Sequence, residues 1–171
     1  FKDGSKVIFT RNNFNNGKAK RSSDGINKLK LYMGDANKDG WKNIKELPFN
    51  SDQFSTAHPA LSPDEKTLYF ASNRPDSFGE SDIYKVQINQ DGSFGTPVNL
   101  GNSINTIGRE SFPFITDENE LYFASDGRPG LGGFDVFVTQ INPDGTCTDV
   151  QNVGESVNSA KDDFAYFIDT K

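Results

Sequence analysis

The sequence is poor in the residues that most chemistry depends on. Among its 171 residues there is one cysteine, Cys147, and one histidine, His58, so no intrachain disulfide and no Cys/His zinc site can be assembled. A serine triad would have to recruit His58, and no Gly-x-Ser-x-Gly elbow accompanies it. Basic residues are outnumbered, 18 Lys and Arg against 24 Asp and Glu, and the net charge of −6 is the reverse of a nucleic-acid footprint. No apolar run approaches the ~20 residues of a membrane-spanning helix. Nor does any segment repeat apolar residues at the i, i+3, i+4, i+7 spacing of an amphipathic helix. Aromatic residues are what the chain does have, 15 Phe and 5 Tyr, a composition suited to strands.

These aromatics lie in an internal repeat. Leu68-Tyr69-Phe70-Ala71-Ser72 returns as Leu121-Tyr122-Phe123-Ala124-Ser125, an offset of 53, and between 82–105 and 135–158 ten of twenty-four positions are identical. Asp82/Asp135, Asp91-Gly92/Asp144-Gly145, Asn99/Asn152 and Asn105/Asn158 are among them. A poorer copy precedes these two. Asp3-Gly4-Ser5-Lys6-Val7-Ile8-Phe9 corresponds to 64–70, and Gly40-Trp41 lies 53 residues before Ser93-Phe94. The Asn-, Lys- and Ser-rich stretch 12–28 lacks an apolar period and is expected to be a mobile loop.

Each unit reads as four short strands, a to d, separated by turn chemistry such as Ser62-Pro63-Asp64 and Asp91-Gly92. Four strands in a period of ~40–50 residues is the pattern of a β-propeller blade. The expected fold is therefore all-β, with about three blades of four antiparallel strands. Residues 1–55 form a blade lacking its first strand, 56–109 and 110–162 are complete blades, and 163–171 supply the first strand of a further blade. Three blades are too few to close a ring of ~4–8. The expectation is an open arc that belongs to a longer chain of roughly six blades, or that meets a second copy head to tail.

The motifs also carry a family resemblance. His58-Pro59-Ala60-Leu61-Ser62-Pro63-Asp64 running on to Asn73-Arg74, followed by Asp82-Ile83-Tyr84 and Asp91-Gly92, resembles the WD-repeat-like β-propeller repeat of the TolB type. Ser111-Phe112-Pro113-Phe114 with Ser125-Asp126-Gly127-Arg128 resembles the version in OmpA-family envelope proteins of Bacteroidetes. The resemblance covers almost the whole chain. It implies a periplasmic, outer-membrane-associated module of an envelope assembly such as type IX secretion, in which peptidoglycan is bound by a separate domain outside these residues.

With strands ordered a–b–c–d, the b–c and d–a loops share one face, and function concentrates on such loops. Arg74, Arg109 and Arg128 fall there and are the candidate partner-binding residues. The structural alternative is that Arg74 pairs with Asp82 and Arg128 with Asp135, while Arg109-Glu110 and Lys161-Asp162-Asp163 secure contacts between blades. His58 opens an innermost strand as a packed or solvated side chain, with a role in a central channel as the alternative. Asp35, Asn37, Asp39 and Glu46 satisfy the spacing of a calcium loop. The same segment, however, aligns with the plain Asp-Gly hairpins at 89–96 and 142–149, and Lys42 stands where such loops keep an apolar residue. Trp41, Phe94 and Cys147 share one repeat position and read as blade packing. No catalytic residue, metal or cofactor is assigned.

The function expected is a non-enzymatic scaffold that binds a protein partner of the cell envelope. The alternatives are the propeller portion of a hydrolase, a peptidase or glycosidase, and a cell-wall carbohydrate-binding module.

Overall fold

Alternation along Leu68-Tyr69-Phe70-Ala71 sends successive side chains to opposite sides of a sheet, and here both sides are dry. In the computed structural model, which describes residues 1–15 and 17–168, Leu68 and Phe70 pack with Leu31, Leu47, Tyr84 and Val86. Tyr69 and Ala71 pack the opposite way, with Ile115, Leu121, Phe123 and Phe137. One sheet is thus sandwiched between two others, as in consecutive propeller blades. Each fully buried side chain of the size of Phe70 or Leu121 contributes about 1.5–3 kcal/mol.

The described residues form 13 strands. The first blade is an antiparallel sheet of β1 (Lys6–Asn12), β4 (Leu29–Asn37) and β5 (Gly40–Glu46). Between its first two strands lies a small hairpin, β2 (Phe14–Asn15) and β3 (Lys18–Ala19), in the stretch whose composition predicts a mobile loop. The second blade is β6 (Thr56–Leu61), β7 (Thr67–Ser72), β8 (Asp82–Gln87) and β9 (Val98–Asn99). The third is β10 (Glu110–Ile115), β11 (Glu120–Ser125), β12 (Asp135–Gln140) and β13 (Gln151–Asn152). The architecture is all-β, built of propeller blades. The outermost strands of blades two and three are shorter than the turn pattern suggests. Pro97 removes a ladder donor beside β9, and short edges of this kind resist edge-to-edge pairing.

The innermost strands share a bulge. Ladder register slips between Ala57 and Ala60 in β6 and between Ser111 and Phe114 in β10, and His58 and Phe112 sit in the left-handed region at φ 54° and 53°. The imidazole of His58 stacks on the Phe112 ring with centroids 3.9 Å apart, and Phe112 stacks on Phe164 at 5.0 Å. Residues 163–168, expected to open a further blade, pair in no ladder among the described residues. Ala165 nevertheless keeps the same backbone twist, with φ 57°. Residues 169–171 of that expected strand lie outside the described residues.

A repeated asparagine closes each blade. Asn105 accepts a hydrogen bond from the Ile83 backbone N–H at 2.8 Å and donates to its carbonyl at 3.0 Å. Asn158 does the same to Val136, and Asn50 to Leu31. Each clamps the chain leaving strand d onto strand c of its own blade.

Candidate interaction face

The b–c and d–a loops emerge on one face, and buried carboxylates shape them. Asp82, fully buried at the start of β8, accepts hydrogen bonds from the backbone N–H groups of Phe78 at 2.7 Å and Gly79 at 3.2 Å. The Asn99 amide donates to the same carboxylate at 2.6 Å. In the next blade Asp135 accepts from Leu131 and Gly132, each at 3.0 Å. The loops are then pressed onto the following d–a connection. A Cβ on Gly79 would lie 2.3 Å from the carbonyl oxygens of Gly108 and Thr106, and one on Gly132 would lie 1.9 Å from that of Lys161. Only glycine permits this approach.

The d–a connections are fastened just as firmly. Glu110, fully buried, accepts hydrogen bonds from Ser125 Oγ at 2.6 Å, Thr106 Oγ1 at 2.7 Å and Thr106 N–H at 2.8 Å. Burial pushes its carboxyl above the usual glutamate value, and those donors oppose the shift. Asp163 repeats the arrangement one unit later, accepting from the Ser159 N–H at 2.6 Å and its hydroxyl at 2.9 Å.

Loops held this way present apolar side chains outward. Phe78 is 57% exposed, Leu131 46%, Ile107 87% and Ile26 57%, and all four lie on b–c or d–a connections. Phe78 and Leu131 occupy the same repeat position, 53 residues apart and directly beside the clamped glycines. Exposed apolar side chains gathered on one face are the usual mark of an interaction surface. None of the four belongs to a strand period or to the charged set Arg74, Arg109 and Arg128, so the sequence pattern alone does not mark them. Their position in Gly-, Ser- and Pro-rich loops, outside any strand, was the available signal.

The three arginines occupy different environments. The Arg74 guanidinium lies over the rings of Tyr84 at 4.8 Å, Phe54 at 5.1 Å and Phe70 at 5.5 Å, and burial pushes its pKa down. Arg128 lies 5.9 Å from both Phe123 and Phe137 and donates to the carbonyls of Ser103 at 2.7 Å and Ile104 at 2.9 Å. Neither pairs with Asp82 or Asp135: both Asp82 oxygens accept loop N–H groups, and in Asp135 Oδ2 accepts both while Oδ1 is left without a partner among the described residues. Arg109 is the outward one. It forms a two-point contact with Asp126, 2.7 Å from both Nε and Nη2, and lies over Phe134 at 4.7 Å with half its side chain exposed.

The remaining sequence candidates resolve into structural parts. Asp35, Asn37, Asp39 and Glu46 are spread along the β4–β5 hairpin. Asp35 bonds Asn43 at 2.8 Å, while Glu46, opposite Tyr32, bonds Lys30 at 2.6 Å. Asp35 lies opposite Lys42 and Glu46 opposite Tyr32, and among the described residues no three acidic, histidine or cysteine side chains are grouped so as to hold a metal ion. The His58 imidazole is held neutral by burial, and its Nδ1 has no hydrogen-bond partner among the described residues. Phe94 and Cys147 pack at blade interfaces, whereas Trp41 is 53% exposed and meets the Phe9 ring in a tilted contact at 4.8 Å.

No family model and no curated protein matches the sequence. Among solved structures the chain is similar to puromycin hydrolase, with a TM-score of 0.51 and 15% identity over 87% of this chain and 22% of that one. A mutant of puromycin hydrolase complexed with PGG matches with a TM-score of 0.53 and 16% identity, covering 87% and 22%. The chain spans about a fifth of that protein's length, and the likeness is one of fold.

Proposed function

We propose that this chain is a propeller segment acting as a non-catalytic scaffold, which binds a protein partner through the face carrying Ile26, Phe78, Ile107 and Leu131. The observation behind this reading is that apolar side chains recur at one loop position in successive blades and are held outward by buried carboxylates. Arg109, beside Ile107, supplies the polar rim, and aromatic or aliphatic anchors with an arginine at the edge are what protein interfaces favour. The TolB-type and OmpA-family resemblance of 58–74 and 111–135 supports placing the partner in the periplasm, at the outer membrane, within an assembly of the type IX secretion kind. A double variant, Phe78→Ser with Leu131→Ser, tests it. It should keep the native fold by circular dichroism and lose, by cross-linking in envelope fractions, a partner that the unaltered chain captures. Equal capture by both contradicts the proposal.

A second reading rests on the structural neighbours. Likeness to puromycin hydrolase favours the propeller portion of a hydrolase, in which the same loop face would border a catalytic domain. Fold alone does not establish chemistry. The discriminating experiment is an aminopeptidase and amidase assay of the full-length gene product. Turnover abolished by a serine-directed inhibitor would replace the scaffold reading with the hydrolase one.

A further inference from the structure

On the opposite face, a groove of about 580 Å³ runs between the second and third blades. Tyr69, Lys85 and Val98 stand opposite one another on β7, β8 and β9, so the pleat sends all three side chains toward the third blade. Ile141 and Asp144 line the far wall.

Two polar groups in this groove have hydrogen-bonding capacity that the described residues do not fill. Tyr69 is only 6% exposed, yet its hydroxyl makes no hydrogen bond with the described residues. Burial pushes the phenol up to about 12, so it remains a donor at neutral pH. Lys85 is half-buried, and its only polar contact among the described residues is the Gly145 carbonyl at 3.4 Å. The other sheltered lysines among the described residues are both paired: Lys28 with Asp24, and Lys30 with Glu46 and Asp52. Both groups reach the solvent of the groove, where a ligand can take the bonds that water otherwise makes. The third blade keeps neither feature, since Val138 replaces Lys85 in the repeat and the Tyr122 hydroxyl donates to Glu120 at 3.3 Å.

The rim has the opposite charge. Asp64, on the β6–β7 turn, and Asp144, on the hairpin after β12, are held ionised by hydrogen bonds from Ser62 and Thr146 respectively. They repel a multiply charged anion and favour an ammonium near the mouth. Val98 and Ile141 give the walls an apolar character.

We propose that this groove binds a small zwitterion, a free amino acid or the carboxyl end of a short peptide. The carboxylate is held by Lys85 and Tyr69, and the amine lies toward Asp64 and Asp144. This site is separate from the loop face, and its test does not depend on the scaffold reading.

The probe is trialanine titrated into the ¹⁵N-labelled chain. Saturable shifts are expected at the amides of Lys85, Val98 and Gly145. Amidating the peptide's carboxyl end or substituting Lys85→Gln should each weaken binding by about tenfold, the loss of one charge-assisted contact. Acetylating its amine should weaken it less, by about threefold. Alanine binding as well as trialanine assigns a free amino acid, and tighter trialanine binding assigns a peptide terminus. The proposal is overturned by no saturable shift, by equal binding of acid and amide, by acetate competing as well as trialanine, or by no effect of Lys85→Gln. Lys38→Gln, an exposed lysine on the β4–β5 turn of the first blade and outside the groove lining, is the control that should change nothing.

Discussion

The carboxylate of Asp82 holds the backbone of Phe78, accepting its N–H at 2.7 Å from a fully buried position while the Phe78 ring projects into solvent. One residue is sequestered so that the other, four positions earlier, is displayed. The pair recurs as Asp135 and Leu131 at 3.0 Å.

Asp82→Ala removes the acceptor for two loop N–H groups and the Asn99 amide, and it leaves them facing a dry cavity. Loss of about 1–3 kcal/mol is expected in urea unfolding. Phe78→Ala, on the exposed side of the same pair, should stay within about 0.5 kcal/mol. Equal losses for the two variants would contradict this division of labour.

Asn105→Ala should cost about 1–3 kcal/mol, because both the N–H and the carbonyl of Ile83 lose their side-chain partner in a buried setting. Hydrogen exchange locates the effect. The Ile83 amide should lose protection, while the Val136 amide, served by Asn158, keeps it.

Gly79→Ala places a methyl group 2.3 Å from two carbonyl oxygens, and the backbone must separate to admit it. A loss of about 1–3 kcal/mol is expected. Gly92→Ala is the contrast. Its φ is +80° but nothing lies within 4 Å of the added carbon, so only backbone strain of about 1 kcal/mol applies. Thermal melts of the two variants should differ in that order.

Asp52 is one of the two carboxyls held lowest, with Asp24, and acid stability should depend on it in part. Hydrogen bonds from Lys20 and then Lys30 hold its carboxyl well below the usual carboxylate range. A carboxyl depressed in the folded state stabilises the protein above its unfolded value of about 3.9 and loses that contribution as pH falls through the folded value. Asp52→Asn should therefore lower the melting temperature at pH 7 and flatten its fall below pH 4. An unchanged acid limb would show that other carboxylates govern it.

Much of the fold was legible because its signals are local. Leu68-Tyr69-Phe70-Ala71-Ser72 carries its period in five residues, and Asp91-Gly92 and Asp144-Gly145 set their own turns, with Gly92 and Gly145 both at positive φ. The β2–β3 hairpin was not legible, since two-residue strands leave no period to detect. Strand order assigns the b–c and d–a loops to one face, whereas the rings that Arg74 and Arg128 lie over come from other parts of the chain and leave no local signal.

The repeat, the all-β class and the order of strands within a blade follow from alternation and turn chemistry, which act over a few residues and need no distant partner. The destination of each polar side chain does not. Asp82 is satisfied by N–H groups of its own loop, so Arg74 turns to Phe54, Phe70 and Tyr84. Phe70 is buried and Phe78 exposed, although both are phenylalanine, because only the first has a neighbouring blade against its ring. Tertiary structure decides these outcomes, since burial and hydrogen-bond competition are set by whatever surface arrives from elsewhere in the chain.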